Sequence, residues 1–189
     1  MNAQMTITTE AANVTAAPAT TGVETPPVVL RTARSGEAAQ IHALIQEHLE
    51  EGHLLPRRLE ELELRLSRFV VAVADHRVLA CAELAPLSSA VAEVRSLVVH
   101  HDARHEGLGR QLVNELMRRA RVEGFDTLCA FTHGPGYFVR MGFSIVPHHW
   151  VREKIAVDCQ GCALFRTCGQ YAVVLSLNDK GRGGRAARA

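Results

Sequence analysis

Two glycines flanked by arginines are the clearest candidate for binding chemistry in this sequence. Arg104 to Gly109 has the form R-x-x-G-x-G and precedes a segment with helical periodicity. Gly107 and Gly109 can adopt positive φ and carry no Cβ atom, so backbone N–H groups can close around a phosphate. The helix that follows points the positive end of its dipole at the same place, and Arg104 and Arg110 add formal charge. From spacing alone, a phosphate-binding turn and a plain tight turn before a helix are equally favoured.

A dinucleotide-binding turn of the Rossmann type fits this segment poorly. The third glycine of G-x-G-x-x-G is absent, with Val113 standing nearby instead, and the glycines come late in the predicted domain.

Three cysteines near the C-terminus form a second candidate site. Cys159-x-x-Cys162 followed by Cys168 could bind zinc, with His148 or His149 as a fourth ligand. A second C-x-x-C is missing, however, and a reduced cysteine also packs well as a small hydrophobic residue. Packing is therefore the favoured interpretation, zinc binding the alternative, and a redox switch the weakest of the three.

An alternating pattern of strands and helices has to position these residues. Apolar residues at helical spacing predict helices around Ile41–Leu49, Leu59–Phe69, Leu108–Ala120 and Pro135–Met141. Short apolar runs predict strands at Val28–Thr32, Phe69–Ala74, Val78–Leu84, Val91–Val99, Thr127–Thr132, Phe143–Val146 and Tyr171–Leu177. The prediction is an α/β mixed sheet with helices on both faces.

Composition predicts one domain with two tails. Residues 1–27 are rich in Ala, Thr and Pro and lack hydrophobic periodicity, so we expect them to be disordered. We expect the same of the basic tail at 178–189 and place the domain at 28–177.

Charge and hydropathy exclude several classes of function. Lys plus Arg (21) nearly equal Asp plus Glu (20), which argues against a nucleic-acid-binding protein. No apolar run reaches the roughly 20 residues that span a bilayer, so no membrane partner is expected. Met1 to Thr21 has neither Lys nor Arg and no apolar core of a signal peptide, so we expect a cytoplasmic protein with reduced cysteines. Cys81 and Cys129 lie in apolar strands and are interpreted as core residues.

With its flank Leu97-Val98-Val99, the Arg104–Gly109 turn resembles the acetyl-CoA-binding motif of the GNAT superfamily of acetyltransferases. Tyr137-Phe138-x-x-x-Gly142-Phe143 is similar to a later motif of that superfamily. Further segments resemble the short N-acetylglutamate synthase-like amino-acid acetyltransferases: Glu51–Arg57, Phe69–Ala72, Cys81–Leu84, Glu93–Leu97, Phe131-Thr132 and the cysteine-bearing segment. The resemblance spans roughly residues 28–177.

The resemblance implies a GNAT fold, whose central, mostly antiparallel sheet splays after the fourth strand. Backbone groups of that strand would pair with the pantetheine arm like an added strand. The implied acetyl-CoA contacts are Leu97, Val98, Val99, Arg104, His105, Glu106, Gly107, Leu108, Gly109, Arg110 and Phe138.

The resemblance also suggests which groups carry out the chemistry. The thioester would lie beside the strand that carries Glu93, our candidate base, although a salt-bridged carboxylate is nearly as well favoured. The backbone N–H of Val98 is the candidate oxyanion donor. The tyrosine that often protonates the leaving thiolate is replaced by Phe138, so Tyr137 is interpreted as a packing residue first and an acid second, with solvent as the alternative.

An amino-acid acceptor requires groups that bind carboxylates. Arg57 follows Leu54 in a loop where the resemblance places substrate contacts, and Arg95 lies on the core strand with Thr132 as a hydroxyl partner. A surface salt bridge is the plainer interpretation of each arginine alone, but together with the resemblance at least one is expected to bind a carboxylate.

The sequence therefore favours an amino-acid N-acetyltransferase that uses acetyl-CoA on the α-amine of glutamate, or of a close relative such as glutamine, as in the first step of arginine biosynthesis. Two alternatives stay open: acetylation of another amine (a protein N-terminus, a polyamine or a drug), and a non-catalytic module that senses acyl-CoA or metal. The partner is a small molecule in the favoured case, and a homodimer is left open.

Overall fold

The structure is a computed structural model that describes residues 27–51 and 54–178. Its strands are β1 (Val29–Thr32), β2 (Phe69–Ala74), β3 (Arg77–Pro86), β4 (Val91–Val99), β5 (Thr127–Thr132), β6 (Ser144–Val146) and β7 (Tyr171–Ser176). Its helices are α1 (Ala38–Glu47), α2 (Leu59–Leu64), α3 (Leu108–Val122), α4 (Pro135–Val139) and α5 (Arg152–Lys154), which continues as a π-helical turn over Ile155–Cys159. The predictions of disorder fall outside the described residues, except at Pro27 and Asn178, and the domain limits stay a prediction.

All seven strands form one sheet in the order β1-β2-β3-β4-β5-β7-β6. The β4–β5 pair is parallel and every other pair is antiparallel. The predicted α/β mixed sheet, mostly antiparallel with helices on both faces, is confirmed.

The sheet opens between β4 and β5. Their pairing covers only Val91–Glu93 on β4 and Thr127–Cys129 on β5. Further along, β4 contains a bulge against β3, where the register shifts between Cys81 and Glu83 and Ser96 adopts a φ of 49°. Because a bulge bends its strand and increases the local twist, β4 turns away from β5 and leaves a gap beside its second half.

Helices cover both faces because the central strands are apolar on both sides. Along β2, Val70 and Ala72 pack with α3, whereas Phe69, Val71 and Val73 pack with α1 and α2. This alternation follows from the two-residue period of a strand, and it fixes which side chains of β3 and β4 face each helical layer.

Among the helices that the structure describes, none is both long and apolar enough to cross a membrane.

Candidate active site

The gap between β4 and β5 is a cavity of about 840 Å³. It is lined by the loop that follows α1, Glu61 of α2, strand β4, Arg104, the end of β5, helix α4, and the segment from His148 to Gln170. Most of the predicted site residues line this one cavity: Leu54, Arg57, Glu93, Arg95, Leu97, Val98, Val99, Arg104, Thr132, Tyr137, Phe138, Cys159, Cys162 and Cys168. His105 to Arg110 are not in its walls, because they form the turn that leads into α3.

The backbone of β4 directs groups that do not pair with β3 towards the cavity, and the ladder with β3 decides which ones these are. The N–H of His100 donates to the carbonyl of Leu79 at 2.8 Å, and Val98 lies opposite Cys81, two positions along each strand. Since an antiparallel ladder alternates, the backbone groups of Val98 face β3 and those of Val99 face the gap. Arg104 Nε accordingly reaches the carbonyl of Val99 at 3.4 Å.

This alternation bears on the predicted oxyanion donor. Leu97 is two residues before Val99, so its N–H faces the gap as well, whereas the N–H of Val98 is directed into the ladder. The geometry therefore favours Leu97 over Val98 for this role. The sequence could not separate the two, because it does not show which backbone groups of β4 pair with β3.

The turn before α3 has the backbone geometry of an anion site. Gly107 caps the helix with a φ of 77°, in the left-handed region that favours glycine, and His105 has a φ of 72°. The first backbone N–H groups of α3 have no partner within the helix and carry its positive dipole end. Arg104 adds a half-exposed guanidinium that bonds to Glu51.

Tyr137 of α4 lies against this turn, and its hydroxyl is buried without a hydrogen-bond partner among the described residues. Burial raises the pKa of the hydroxyl above its ordinary value, against smaller opposing effects of Arg110 and Arg140. The neighbouring Phe138 is buried and packs edge-on against Phe143. Of the two aromatic residues, both of which line the cavity, only Tyr137 carries an ionisable hydroxyl, and that hydroxyl is buried against the turn before α3.

Glu93 belongs to a group of four charges, which we call the charged ring: Glu93, Arg95, Lys154 and Asp158. Lys154 Nζ lies 2.7 and 2.9 Å from the two carboxylate oxygens of Glu93 and 3.0 Å from Asp158. Arg95 donates to both acids as well. Each cation thus bonds to both anions, and all four residues line the cavity; the side chain of Glu93 is 4% exposed, whereas that of Asp158 is 34% exposed.

Arg57 lies in a second charged group beside the charged ring, because its partner Glu83 on β3 pairs with Arg95 on β4. Its guanidinium donates to Glu61 through Nε and Nη2 at 3.2 and 3.0 Å. Its Nη1 donates to Glu83 and to Ser96 Oγ, each at 3.0 Å. Glu83 is fully buried behind Arg57, and Arg65 lies 3.9 Å from its other oxygen.

Several of these residues were not predicted as site residues: Glu83, Ser96, Lys154 and Asp158. Lys154 and Glu93 are 61 positions apart, and Lys154 precedes Asp158 on a helical segment too short to show periodicity. Only the spacing of four between Lys154 and Asp158, which suits a helical ion pair, could have suggested a connection.

Thr132, which was predicted, lines the cavity and accepts a hydrogen bond from the N–H of Gly134 at 3.1 Å.

The three cysteines of the C-terminal segment border the cavity but do not assemble into a metal site. Within residues 27–51 and 54–178, the side chains close enough together to hold an ion are His100, His101 and Asp102. His148 Nε2 instead contacts the carbonyl of Gln170 at 2.6 Å. The zinc hypothesis is not supported.

As predicted, Cys81 and Cys129 are buried, and burial raises the pKa of Cys81 to about 12.

Comparison with known proteins gives this site a family. Residues 65–145 match the acetyltransferase (GNAT) domain. An uncharacterized N-acetyltransferase of Chlorobaculum tepidum is 30% identical over 148 residues, which cover 78% of this chain and 96% of that protein.

Longer relatives match over part of their length. An amino-acid acetyltransferase of Azotobacter vinelandii is 33% identical over 66% of this chain and 26% of its own length, so this chain spans about a quarter of that relative. The structure of N-acetylglutamate synthase from Neisseria gonorrhoeae, complexed with coenzyme A and N-acetyl-glutamate, superposes with a TM-score of 0.72 at 28% identity, over 80% of this chain and 35% of that one. The chain therefore belongs to the GNAT family and is an acetyl-CoA-dependent acetyltransferase of that type.

Proposed function

We propose that the protein transfers the acetyl group of acetyl-CoA to the α-amine of glutamate or of a close relative such as glutamine. The proposal rests on one observation: three basic side chains line the same cavity as the part of β4 that does not pair with β5. Arg57, Arg95 and Lys154 come from three separate segments and line the same cavity as Leu97 and Val99. An amino-acid acceptor needs such groups for its carboxylates, and the thioester needs the free strand edge.

In this proposal acetyl-CoA lies along the open edge of β4. The pantetheine amides pair with backbone groups of Leu97 and Val99, and the pyrophosphate binds at the amides of the Gly107 turn. This arrangement brings the thioester carbonyl to the N–H of Leu97, which stabilises the oxyanion that develops during attack.

Glu93 accepts the proton of the α-ammonium, directly or through a water molecule. Both of its oxygens accept hydrogen bonds from Lys154, so the acceptor has to replace that contact when it binds. The ammonium of an amino acid is a suitable replacement for Lys154, and the acceptor carboxylate is a suitable replacement for Asp158 beside Arg95.

The reaction then balances as follows. The neutral amine attacks the thioester carbonyl and the C–N bond forms; the nitrogen then releases its second proton to solvent and the C–S bond breaks. In this proposal the Tyr137 side chain turns from Gly109 towards the cavity, where its hydroxyl gives its proton to the departing thiolate and takes one back from solvent. The raised pKa of Tyr137 keeps this hydroxyl protonated throughout the neutral range.

Thr132 and Leu54 complete the acceptor site in the proposal, as a hydroxyl partner and an apolar wall. A place at the first step of arginine biosynthesis, a cytoplasmic location and a homodimer stay predictions that accompany it.

The test is an acceptor screen. The purified full chain is incubated with acetyl-CoA and a panel of amino acids, with a polyamine as a comparison, and the release of coenzyme A thiol is recorded. We expect release above background with glutamate or glutamine. Release with no amino acid would overturn the proposal, and release with the polyamine alone would favour the alternative acceptor class.

A further inference from the structure

Glu83 is a buried charge that the proposed reaction does not use. It lies on β3 opposite Arg95, is 0% exposed, and is not in the cavity wall. One of its oxygens, Oε1, has no hydrogen-bond partner among the described residues. Burying an ionised carboxylate that lacks a full set of hydrogen bonds costs folding free energy, so Glu83 is a candidate for a functional role.

The contacts of Glu83 lead directly to the cavity. Its Oε2 accepts from Arg57 Nη1 at 3.0 Å, and Arg57 lines the cavity. Glu61 takes the opposite side of the same guanidinium, and Arg65 lies within 4.0 Å of both acids. Two arginines and two glutamates therefore form a group with no net charge.

The absence of net charge in this group weakens the attraction for any acceptor carboxylate that enters the cavity. The positive charge of Arg57 is already neutralised by Glu83, so Arg57 attracts an acceptor carboxylate less strongly. Glu83 also repels that carboxylate, because only the guanidinium group of Arg57 separates the two negative charges. Burial removes the water that would screen this repulsion. Each additional carboxylate on the acceptor increases the penalty, whichever carboxylate contacts Arg57.

We propose that Glu83 is a specificity-determining residue, which disfavours acceptors with two carboxylates relative to acceptors with one by compensating the charge of Arg57. This inference rests on the proposed function and adds the group that sets its charge selectivity. It acts from outside the cavity, through Arg57, without touching the acceptor.

The test compares L-glutamate with L-glutamine, which have nearly the same shape and differ by one carboxylate. The ratio of their kcat/KM values is measured in the parent chain and in Glu83→Gln, which keeps the size of the side chain. We expect the ratio to shift towards glutamate by about tenfold, the change that 1.4 kcal/mol produces. The acetyl-CoA KM should stay the same in both proteins.

Two further variants make the result specific. Glu61→Gln removes the second acid on Arg57, and because Glu61 is partly exposed we expect a smaller shift in the same direction. It also serves if Glu83→Gln does not fold. Glu37→Gln removes a carboxylate that is paired with Arg31 outside the cavity, and it should leave the ratio unchanged.

The outcomes separate this inference from the proposed function. If neither amino acid is acetylated by the parent chain, the proposed function fails. If both are acetylated and the ratio is the same in Glu83→Gln and Glu61→Gln as in the parent, the role of Glu83 is overturned while the proposed function stands. An equal shift in Glu37→Gln would also overturn it.

Discussion

The hydroxyl oxygen of Tyr137 lies 3.0 Å from the position that a Cβ atom would occupy on Gly109. Gly109 is in the first turn of α3, so its missing side chain lets the hydroxyl approach the helix end that we assign to the pyrophosphate. The same close approach buries the hydroxyl and raises its pKa. The second glycine of the R-x-x-G-x-G turn thus makes room for the candidate acid.

Replacing Tyr137 with phenylalanine should lower kcat by about a hundredfold, the lower end of the range for a general acid, with little change in either KM. An acid works only while protonated, and the raised pKa extends that form to higher pH, so wild-type kcat should not fall until above pH ~10, the ordinary tyrosine pKa. Tyr171→Phe, at an exposed tyrosine, is the matched control and should be neutral. Equal kcat values in the two variants would remove Tyr137 from the mechanism.

Gly107→Glu should abolish acetyl-CoA binding in a titration that measures affinity directly. The substitution forces a side chain into a φ of 77° and puts a negative charge where the pyrophosphate binds. Gly36→Glu imposes the same kind of strain at a φ of 90°, with nothing within 4 Å of its Cβ position. It should lose stability and keep acetyl-CoA affinity. Loss of affinity in both would indicate that general destabilisation, and not the phosphate turn, explains the effect.

Lys154→Met should raise the KM for the amino-acid acceptor by about tenfold, because the ammonium that the acceptor displaces from Glu93 is then free to bind an acceptor carboxylate, and a hydrogen bond to a charged group contributes roughly 1.5–3 kcal/mol. The KM for acetyl-CoA should not change, because Lys154 is in the charged ring and not on the coenzyme edge of the cavity. Arg152→Met, at an exposed residue on the same short helix, controls for general damage to the segment. An unchanged acceptor KM in Lys154→Met would exclude the ring from acceptor binding.

Arg57→Ala should lower the free energy of unfolding by about 3–5 kcal/mol, because it leaves the fully buried Glu83 without its hydrogen-bonded cation. Adding Glu83→Gln to Arg57→Ala should restore part of that loss, since the uncompensated charge is gone. Urea denaturation of the two single variants and the double variant measures both effects. If their effects simply add, the two side chains do not stabilise each other.

This coupling also changes how Arg57 should be tested as an acceptor ligand. A rise in acceptor KM in Arg57→Ala would mix lost binding with lost stability. Arg57→Lys keeps a cation beside Glu83 and loses the planar fork, so a higher acceptor KM in that variant reports on carboxylate binding.

Much of the fold could be predicted because its central strands carry strong local signals. The predicted limits of β4 and β5 agree with the structure, since each is a run of mostly apolar residues that ends at a polar turn. The end of α3 at Val122 lies two residues before the predicted stop at Gly124, which adopts a φ of 83°.

The charged ring could not be predicted, because it depends on contacts between distant residues. Lys154 and Asp158 lie on a short segment that combines one α-helical and one π-helical turn and shows no amphipathic period. The choice between Leu97 and Val98 could not be predicted either, since it depends on which backbone groups of β4 pair with β3, and the composition of the strand does not show this.

Isotope labelling identifies the product and shows whether the acetyl group is joined to the α-amine. The purified chain is incubated with acetyl-CoA labelled at the acetyl carbonyl and with glutamate or glutamine labelled at the α-nitrogen, and the mixture is examined by NMR. Coupling between the labelled carbon and the labelled nitrogen should appear with the parent chain and be absent with Gly107→Glu. Consumption of acetyl-CoA without such coupling for either amino acid would contradict acetyl transfer to their α-amine.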